Sequence, residues 1–295
     1  MKQIFAIIGG DARQISLAAR LALTGAEVRT YGLPEEIQQA GVLSFGDWRE
    51  AIRGATAVLL PLPASADGVR IHLPLSPHLA APAFVDVLAC VPREIPLVGG
   101  KFSPAMRAQA EQAGRELLDF CKSEEFQLKN AVPSAEGAIA ILMDRMPRTV
   151  DGMRVAVTGY GRIGKALVRM LLGLGAKVTV GARKQSALDE ARALGCDTVH
   201  LNSEDAVILL ARGQEAIFNT VPHWLFTGKV LNGMNKRTLL IDLASAPGGV
   251  DAEVARGLGM PVIWALSLPG KYAPVTAGEI IADCVLSMLQ GEGAV

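Results

Sequence analysis

The sequence predicts an α/β protein made of two doubly wound parallel sheets, and three observations carry that prediction. Apolar runs rich in Val, Ile and Leu alternate along the chain with amphipathic stretches of helical period, the pattern of parallel strands covered by helices on both faces. The 295 residues, half of them hydrophobic, suffice for about two domains of roughly 150 residues each. A glycine-rich turn from strand to helix occurs twice, as "GGDARQ" at 9–14 and "GYGRIG" at 159–164.

The first strand, "QIFAIIGG" (3–10), leads into a helical "ARQISLAARLALTG" (12–25) and a second strand, "EVRTYG" (27–32). Further strands are predicted at "TAVLLPLP" (56–63), "IPLVGG" (95–100) and "ELLDF" (116–120), with helices near 78–89 and 103–114. Residues 1–133 then form a flavodoxin-like domain, assigned to substrate or partner. A helix is predicted to begin near Ser134 within "NAVPSAEGAIAILMDRMPRTV" (130–150), because Ile139, Leu142, Met143 and Met146 fall on one stripe.

A second series of strands follows at 154–159, 177–182, 198–201, 216–222, 238–245 and 261–267, making 134–274 a Rossmann domain. After "LPGKYAPVTAG" (268–278) a last helix, about 278–290, has no strand left to follow. It is predicted to cross back to the first domain, taking residues from about 275 to 295 with it. Two connections then tie two lobes around a cleft.

Charge excludes several partners. Lysine plus arginine and aspartate plus glutamate balance at 29 each, which gives no electrostatic reason for nucleic acid or an anionic membrane. No uncharged stretch reaches the roughly 18 residues of a membrane span. The apolar run in "MKQIFAIIGGD" is too short for a signal sequence. The four cysteines, Cys90, Cys121, Cys196 and Cys284, are widely spaced and read as buried free thiols of a reducing cytoplasm. With four histidines and no close pair of them, no metal site is expected.

The chemistry concentrates at 159–164. Strand, Gly159-Tyr160-Gly161-Arg162-Ile163-Gly164 and helix follow one another in "VAVTGYGRIGKALVRMLLGLGA". Gly159 turns the strand, Gly161 lets backbone approach a pyrophosphate, and Gly164 lets helix pack on strand. The helix N-terminus offers free N–H groups and a positive dipole end to phosphates. About 20 residues on, where NAD enzymes place an acid against the ribose hydroxyls, stands Gly181-Ala182-Arg183-Lys184, and the first acid is Asp189. Guanidinium and ammonium attract the 2′-phosphate that a carboxylate repels. The cofactor predicted is NADP.

Other loops at strand carboxyl ends are candidates to face a ligand. "NTVP" offers Asn219, Thr220, Val221 and Pro222 to the nicotinamide ribose, and "DLASAPGGVD" offers Asp242, Leu243, Ala244, Ser245, Gly248 and Gly249 to a flat ring. "SLPGKYAPVTAG" (267–278) is a similar small-residue loop. "GGDARQ" puts Asp11 and Arg13 at its mouth, as a helix cap or as a substrate site. Ser134 and Glu136 stand at the expected start of the connecting helix, where an acid suits the dipole alone. Asp11 and Glu136 are the candidate bases, and His223 reads as a surface residue.

The segments "IIGGDARQ", "VPSAEGAI", "GYGRIGKALVRMLLGLGAKVTVGAR", "FNTVP", "IDLASAPGGVD" and "LPGKYAPVTAG" resemble the A subunits of dipicolinate synthase. The likeness runs in order over nearly the whole chain and is weaker at about 35–95. It implies a late step of spore formation in the mother-cell cytoplasm. Dihydrodipicolinate, or its hydroxylated tetrahydro precursor, is oxidised to dipicolinate with NADP⁺ as acceptor. It implies a dicarboxylate substrate and, for a partner, the flavoprotein-like B subunit, with a homo-oligomer expected. Arg13 and glycine-loop N–H groups then neutralise the carboxylates. The alternative, a D-2-hydroxyacid dehydrogenase, shares the two-domain plan, but its Arg, Glu and His are missing from "LASAPGG" and "WALSLPGKYAP". A third reading is an NADP-sensing module without catalysis.

Overall fold

The computed structural model describes residues 2–34 and 40–291. It divides into two compact units, Met1–Asn130 with Ala273–Val295, and Ala131–Tyr272. The first unit runs β1 (Ile4–Ile8), α1 (Ala12–Ala22), β2 (Glu27–Tyr31), β3 (Val42–Ser44), α2 (Trp48–Ile52), β4 (Ala57–Leu59), α3 (Phe84–Cys90), β5 (Leu97–Gly99), α4 (Pro104–Gln112) and β6 (Leu118–Asp119). Its strands are parallel in the order β3-β2-β1-β4-β5-β6. The five strands read from the sequence stand in flavodoxin order, β2-β1-β4-β5-β6. The edge strand β3, only three residues long and largely exposed, adds the sixth.

Strand β1 shows how the sheet is held. Successive side chains point to opposite faces, so Phe5 and Ile7 join the cluster that includes Leu17 and Leu21 of α1. Ala6 and Ile8 join the opposite cluster, with Phe84 and Val87 of α3 and Met106 of α4. Both faces are buried, and each large side chain so enclosed contributes about 1.5–3 kcal/mol.

Helix α5 (Glu124–Arg145) carries the boundary between the units, after Asn130. The expected start near Ser134 is corrected by ten residues: Pro133 lies inside the helix. Burial of Phe126 on one side of that proline and of Ala131 and Ala135 around it outweighs the one hydrogen bond proline cannot donate. Of the predicted stripe, Ile139 and Leu142 are buried, whereas Met143 is exposed.

The second unit continues with β7 (Arg154–Thr158), α6 (Arg162–Gly173), β8 (Lys177–Ala182), α7 (Gln185–Ala193), β9 (Asp197–His200), α8 (Glu204–Ala211), β10 (Ala216–Asn219), α9 (Gly228–Asn232), β11 (Leu239–Asp242), α10 (Ala252–Gly257), β12 (Val262–Trp264) and α11 (Leu268–Tyr272). Its parallel sheet is ordered β9-β8-β7-β10-β11-β12, a doubly wound order that reverses between β7 and β10. Gly164, Leu167, Val168 and Leu171 form the buried stripe of α6.

The last helix, α12 (Pro274–Gln290), belongs to the first unit. Its Ile280, Ile281 and Val285 complete the cluster around Phe5, Leu17 and Leu21. Among the described residues no helix is long and apolar enough to cross a membrane, and no group of metal-ligating side chains is assembled.

Candidate dinucleotide site

The three glycines of 159–164 have different physical tasks. Gly159 has a φ of +90°, and a Cβ there would run into the Thr220 hydroxyl. A Cβ at Gly164 would strike the carbonyl of Gly159, so helix α6 can lie on β7 only without one. At Gly161 a Cβ would meet nothing within 4 Å. That open space, at the helix N-cap and without any side-chain cap bond, is the cradle a pyrophosphate needs. The residues fit a dinucleotide.

Beside the cradle lies a cavity of about 570 Å³, walled by Tyr160, Ala182, Arg183, Lys184, Leu201, Val221, His223 and Leu225 among others. Apolar Leu201, Val221 and Leu225 suit a flat base, and the cations stand at its edge. Arg183 and Lys184 are exposed at the carboxyl end of β8. The nearest acids of α7 are engaged elsewhere, Asp189 with Arg192 at 2.8 Å and Glu190 with Lys165 at 2.7 Å. Tyr160 is buried, which raises its phenol pKa, and Lys165 Nζ stands 5.4 Å from its ring centre. Arg162 is exposed in the first turn of α6, and Ile163 is half-buried against the core.

Several predicted contact residues turn inward instead. Asn219 and Asp242 are buried at the ends of β10 and β11. The Thr158 hydroxyl donates to Asn219 Oδ1 at 2.7 Å, and Asn219 Nδ2 donates to Asp242 Oδ1 at 2.8 Å. The Asp242 carboxylate also accepts the N–H groups of Ala244, at 3.0 Å, and Gly249, at 2.8 Å. These side chains strap the 243–249 loop to the sheet, because buried polar groups must be paired. The Leu243 N–H bonds the Asn219 carbonyl, and Trp264 Nε1 bonds that of Ala244. Gly249 is small because a Cβ would overlap Asn219, and Gly248 faces Asp242 and Trp264; neither glycine is explained by a ligand. The Thr220 hydroxyl donates its proton to the Thr158 carbonyl at 2.9 Å, which leaves only its oxygen as an acceptor. Ser245 and Pro222 are exposed.

The first glycine turn differs from the second. Gly10 donates to the His72 carbonyl at 2.9 Å, and a Cβ on Gly10 would overlap Gln14. The protein fills this turn itself. Asp11 caps α1 in a capping box with Gln14, and Arg13 binds both Asp11 oxygens and the Leu62 carbonyl. Arg13 is 4% exposed, so its guanidinium is a clamp within the unit rather than an open anchor. Burial alone would raise the Asp11 carboxyl, but hydrogen bonds and charge from Arg13 hold it below the usual carboxylate range. That makes Asp11 a poor base near neutrality. Glu136 is exposed in the middle of α5, not in a first turn, and Ser134 is buried there. Of the cysteines, Cys90 is exposed, contrary to expectation. Burial, with Asp119 nearby, pushes the Cys121 thiol up to about 12.

Sequence reading missed His200 and took His223 only as a surface residue. His223 is exposed, as expected, yet it lines the cavity. His200 bonds the carbonyl of Arg183 at 2.9 Å. Their only sequence signal was a position just after a strand or at its end.

A six-stranded doubly wound sheet with a glycine cradle at its first βα turn is the arrangement of a dinucleotide-binding unit. Accordingly, residues 134–258 match the family model for the NAD-binding domain of D-isomer-specific 2-hydroxyacid dehydrogenases. Residues 4–121 match that for the N-terminal domain of the dipicolinate synthase A subunit. The A subunit of dipicolinate synthase from Bacillus subtilis strain 168 is 30% identical over 288 residues, 97% of this chain and 95% of that one. The chain belongs to the family of dipicolinate synthase A subunits. The crystal structure of the Bacillus halodurans member superposes with a TM-score of 0.89 at 28% identity, covering 97% of each chain. That of Bacillus subtilis gives 0.86 at 30%, covering 99% of this chain and 97% of that one. A transhydrogenase from Sinorhizobium meliloti shares the fold at a TM-score of 0.71 and 14% identity, over 97% of this chain and 93% of that one.

Proposed function

We propose that this chain oxidises dihydrodipicolinate, or its hydroxylated tetrahydro precursor, to dipicolinate with NADP⁺, in the mother-cell cytoplasm of a sporulating bacterium. Family membership supports the reaction class. The choice of NADP⁺ is supported above all by one observation: two exposed cations and no acid at the end of β8. When bound, the cofactor supplies the hydride acceptor.

The chain's own residues bind and orient. Gly161 and the N–H groups of α6 hold the pyrophosphate, Arg183 and Lys184 the 2′-phosphate, and the strapped 243–249 loop presents its backbone to the nicotinamide side. From the dihydro compound, loss of hydride and proton makes the ring aromatic; the hydroxylated precursor first loses water to reach that compound. Aromaticity supplies much of the driving force, so positioning is the main task. Of the two candidate bases, Asp11 is committed to Arg13, and Glu136 is the one retained. The first unit is assigned to substrate or to the flavoprotein-like B partner, and the working enzyme is an oligomer that includes this partner.

The test is dipicolinate absorbance during incubation of the purified chain with dihydrodipicolinate and NADP⁺, with and without the B partner. The chain alone is expected to bind NADP⁺ and turn over slowly, with the partner restoring the full rate. Absence of dipicolinate from the complete mixture would sink the proposal.

A further inference from the structure

Resting on the NADP reading above, we propose that His200 is a positioning residue for the 2′-phosphate, holding the Arg183–Lys184 turn so that both cations face one phosphate. Strand β9 is the edge of its sheet, and its His200 lies opposite Ala182, the last residue of β8. From there two consecutive carbonyls of the turn are bound. Leu201 N–H donates to the Ala182 carbonyl at 2.9 Å, and His200 Nε2 donates to the Arg183 carbonyl at 2.9 Å. The first bond is backbone, available to any sequence in this register; the second exists only because a donor side chain stands at 200.

A carbonyl oxygen only accepts, so Nε2 is the ring nitrogen that carries the proton of this bond.

The far side of the turn is held by backbone alone: the Lys184 carbonyl accepts the N–H groups of Ala187 at 3.1 Å and Leu188 at 3.3 Å, and Lys184, the N-cap of α7, makes no side-chain cap bond. Without His200 the Arg183 peptide between these anchors loses its side-chain tether, and it would have to be ordered, together with two long side chains, when the phosphate binds. NAD⁺, which has no phosphate at that position, is spared this cost. The effect of His200 accordingly falls on the ratio of the two affinities.

The experiment is calorimetric titration of the full chain with NADP⁺ and with NAD⁺, as wild type, His200→Ala, His200→Phe and His200→Gln. The alanine and phenylalanine variants should bind NADP⁺ about three- to tenfold more weakly, the scale of one lost hydrogen bond, with NAD⁺ changed by less. His200→Gln, whose amide N–H can reach the same carbonyl, should recover most of the loss. An unchanged affinity ratio, or equal weakening toward both nucleotides, overturns the role of His200 while leaving the NADP reading intact. A wild-type chain that prefers NAD⁺ overturns both.

Discussion

At the scale of single residues, Arg183 is where the proposed preference for NADP⁺ is tested. Replacing it with aspartate turns a charge-assisted bond into repulsion, at a cost of about 2 kcal/mol toward NADP⁺ and almost none toward NAD⁺. Calorimetry reads both values directly, and equal losses would show that the side chain serves only the fold. Asp11 makes a second residue-scale prediction. Its folded pKa lies below the ordinary value of 3.8, so the native state binds fewer protons than the unfolded one around that pH. The contribution is fully present above about pH 4 and is lost as pH falls through the folded value. Asp11→Asn keeps an oxygen for the cap but removes the charge. Urea unfolding of this variant should therefore show weaker dependence on pH than wild type as pH falls below about 4.

Among the elements, the pair α1 and α12 is the most sensitive to volume. A Cβ at Gly278 would overlap the Arg13 carbonyl and come 2.6 Å from Ser16 Cβ. Two helices this close have no slack, because protein interiors are packed at crystal density. Gly278→Val must push α12 away from α1 and should cost about 3 kcal/mol or more, measured as a lower urea midpoint. The same substitution at Gly173, where a Cβ meets nothing within 4 Å, controls for the change in chemistry and should cost about 1 kcal/mol or less.

For the whole molecule, the order of the chain and the order of the core differ. The first unit is complete only when α12, the last helix in sequence, supplies Ile280, Ile281 and Val285 to the cluster around Phe5, Leu17 and Phe120. A chain ending at Ala273 leaves that face uncovered, and each large apolar side chain exposed forfeits about 1.5–3 kcal/mol. Against a typical total of about 5–15 kcal/mol, that loss should unfold the first unit. Hydrogen exchange of the truncated chain should show protection lost in β1, β2 and α1 and kept in β7, β8 and β10. Uniform loss would mean that the two units fold as one.

The sequence by itself determined the elements that rest on local periodicity. "KVTVGA" at 177–182 is β8 to the residue, and the alternation of apolar runs placed every strand but β3. It also determined the cradle, since Gly159, Gly161 and Gly164 act within six residues of one another, and the missing acid at the end of β8. Tertiary structure alone decided which loop side chains look outward. Gly249 is small because of Asn219, thirty residues earlier, and Asp242 is a strap because Asn219 and two N–H groups converge on it. It decided that α5 runs through Pro133, a matter of burial at both of its ends. It also brought His200 to Arg183, through a strand register that no local pattern encodes. Periodicity and turn chemistry act over a few neighbouring residues, and so they can be read along the chain. Contacts across 20 or 30 residues depend on which strands become neighbours, and the packed molecule alone settles that.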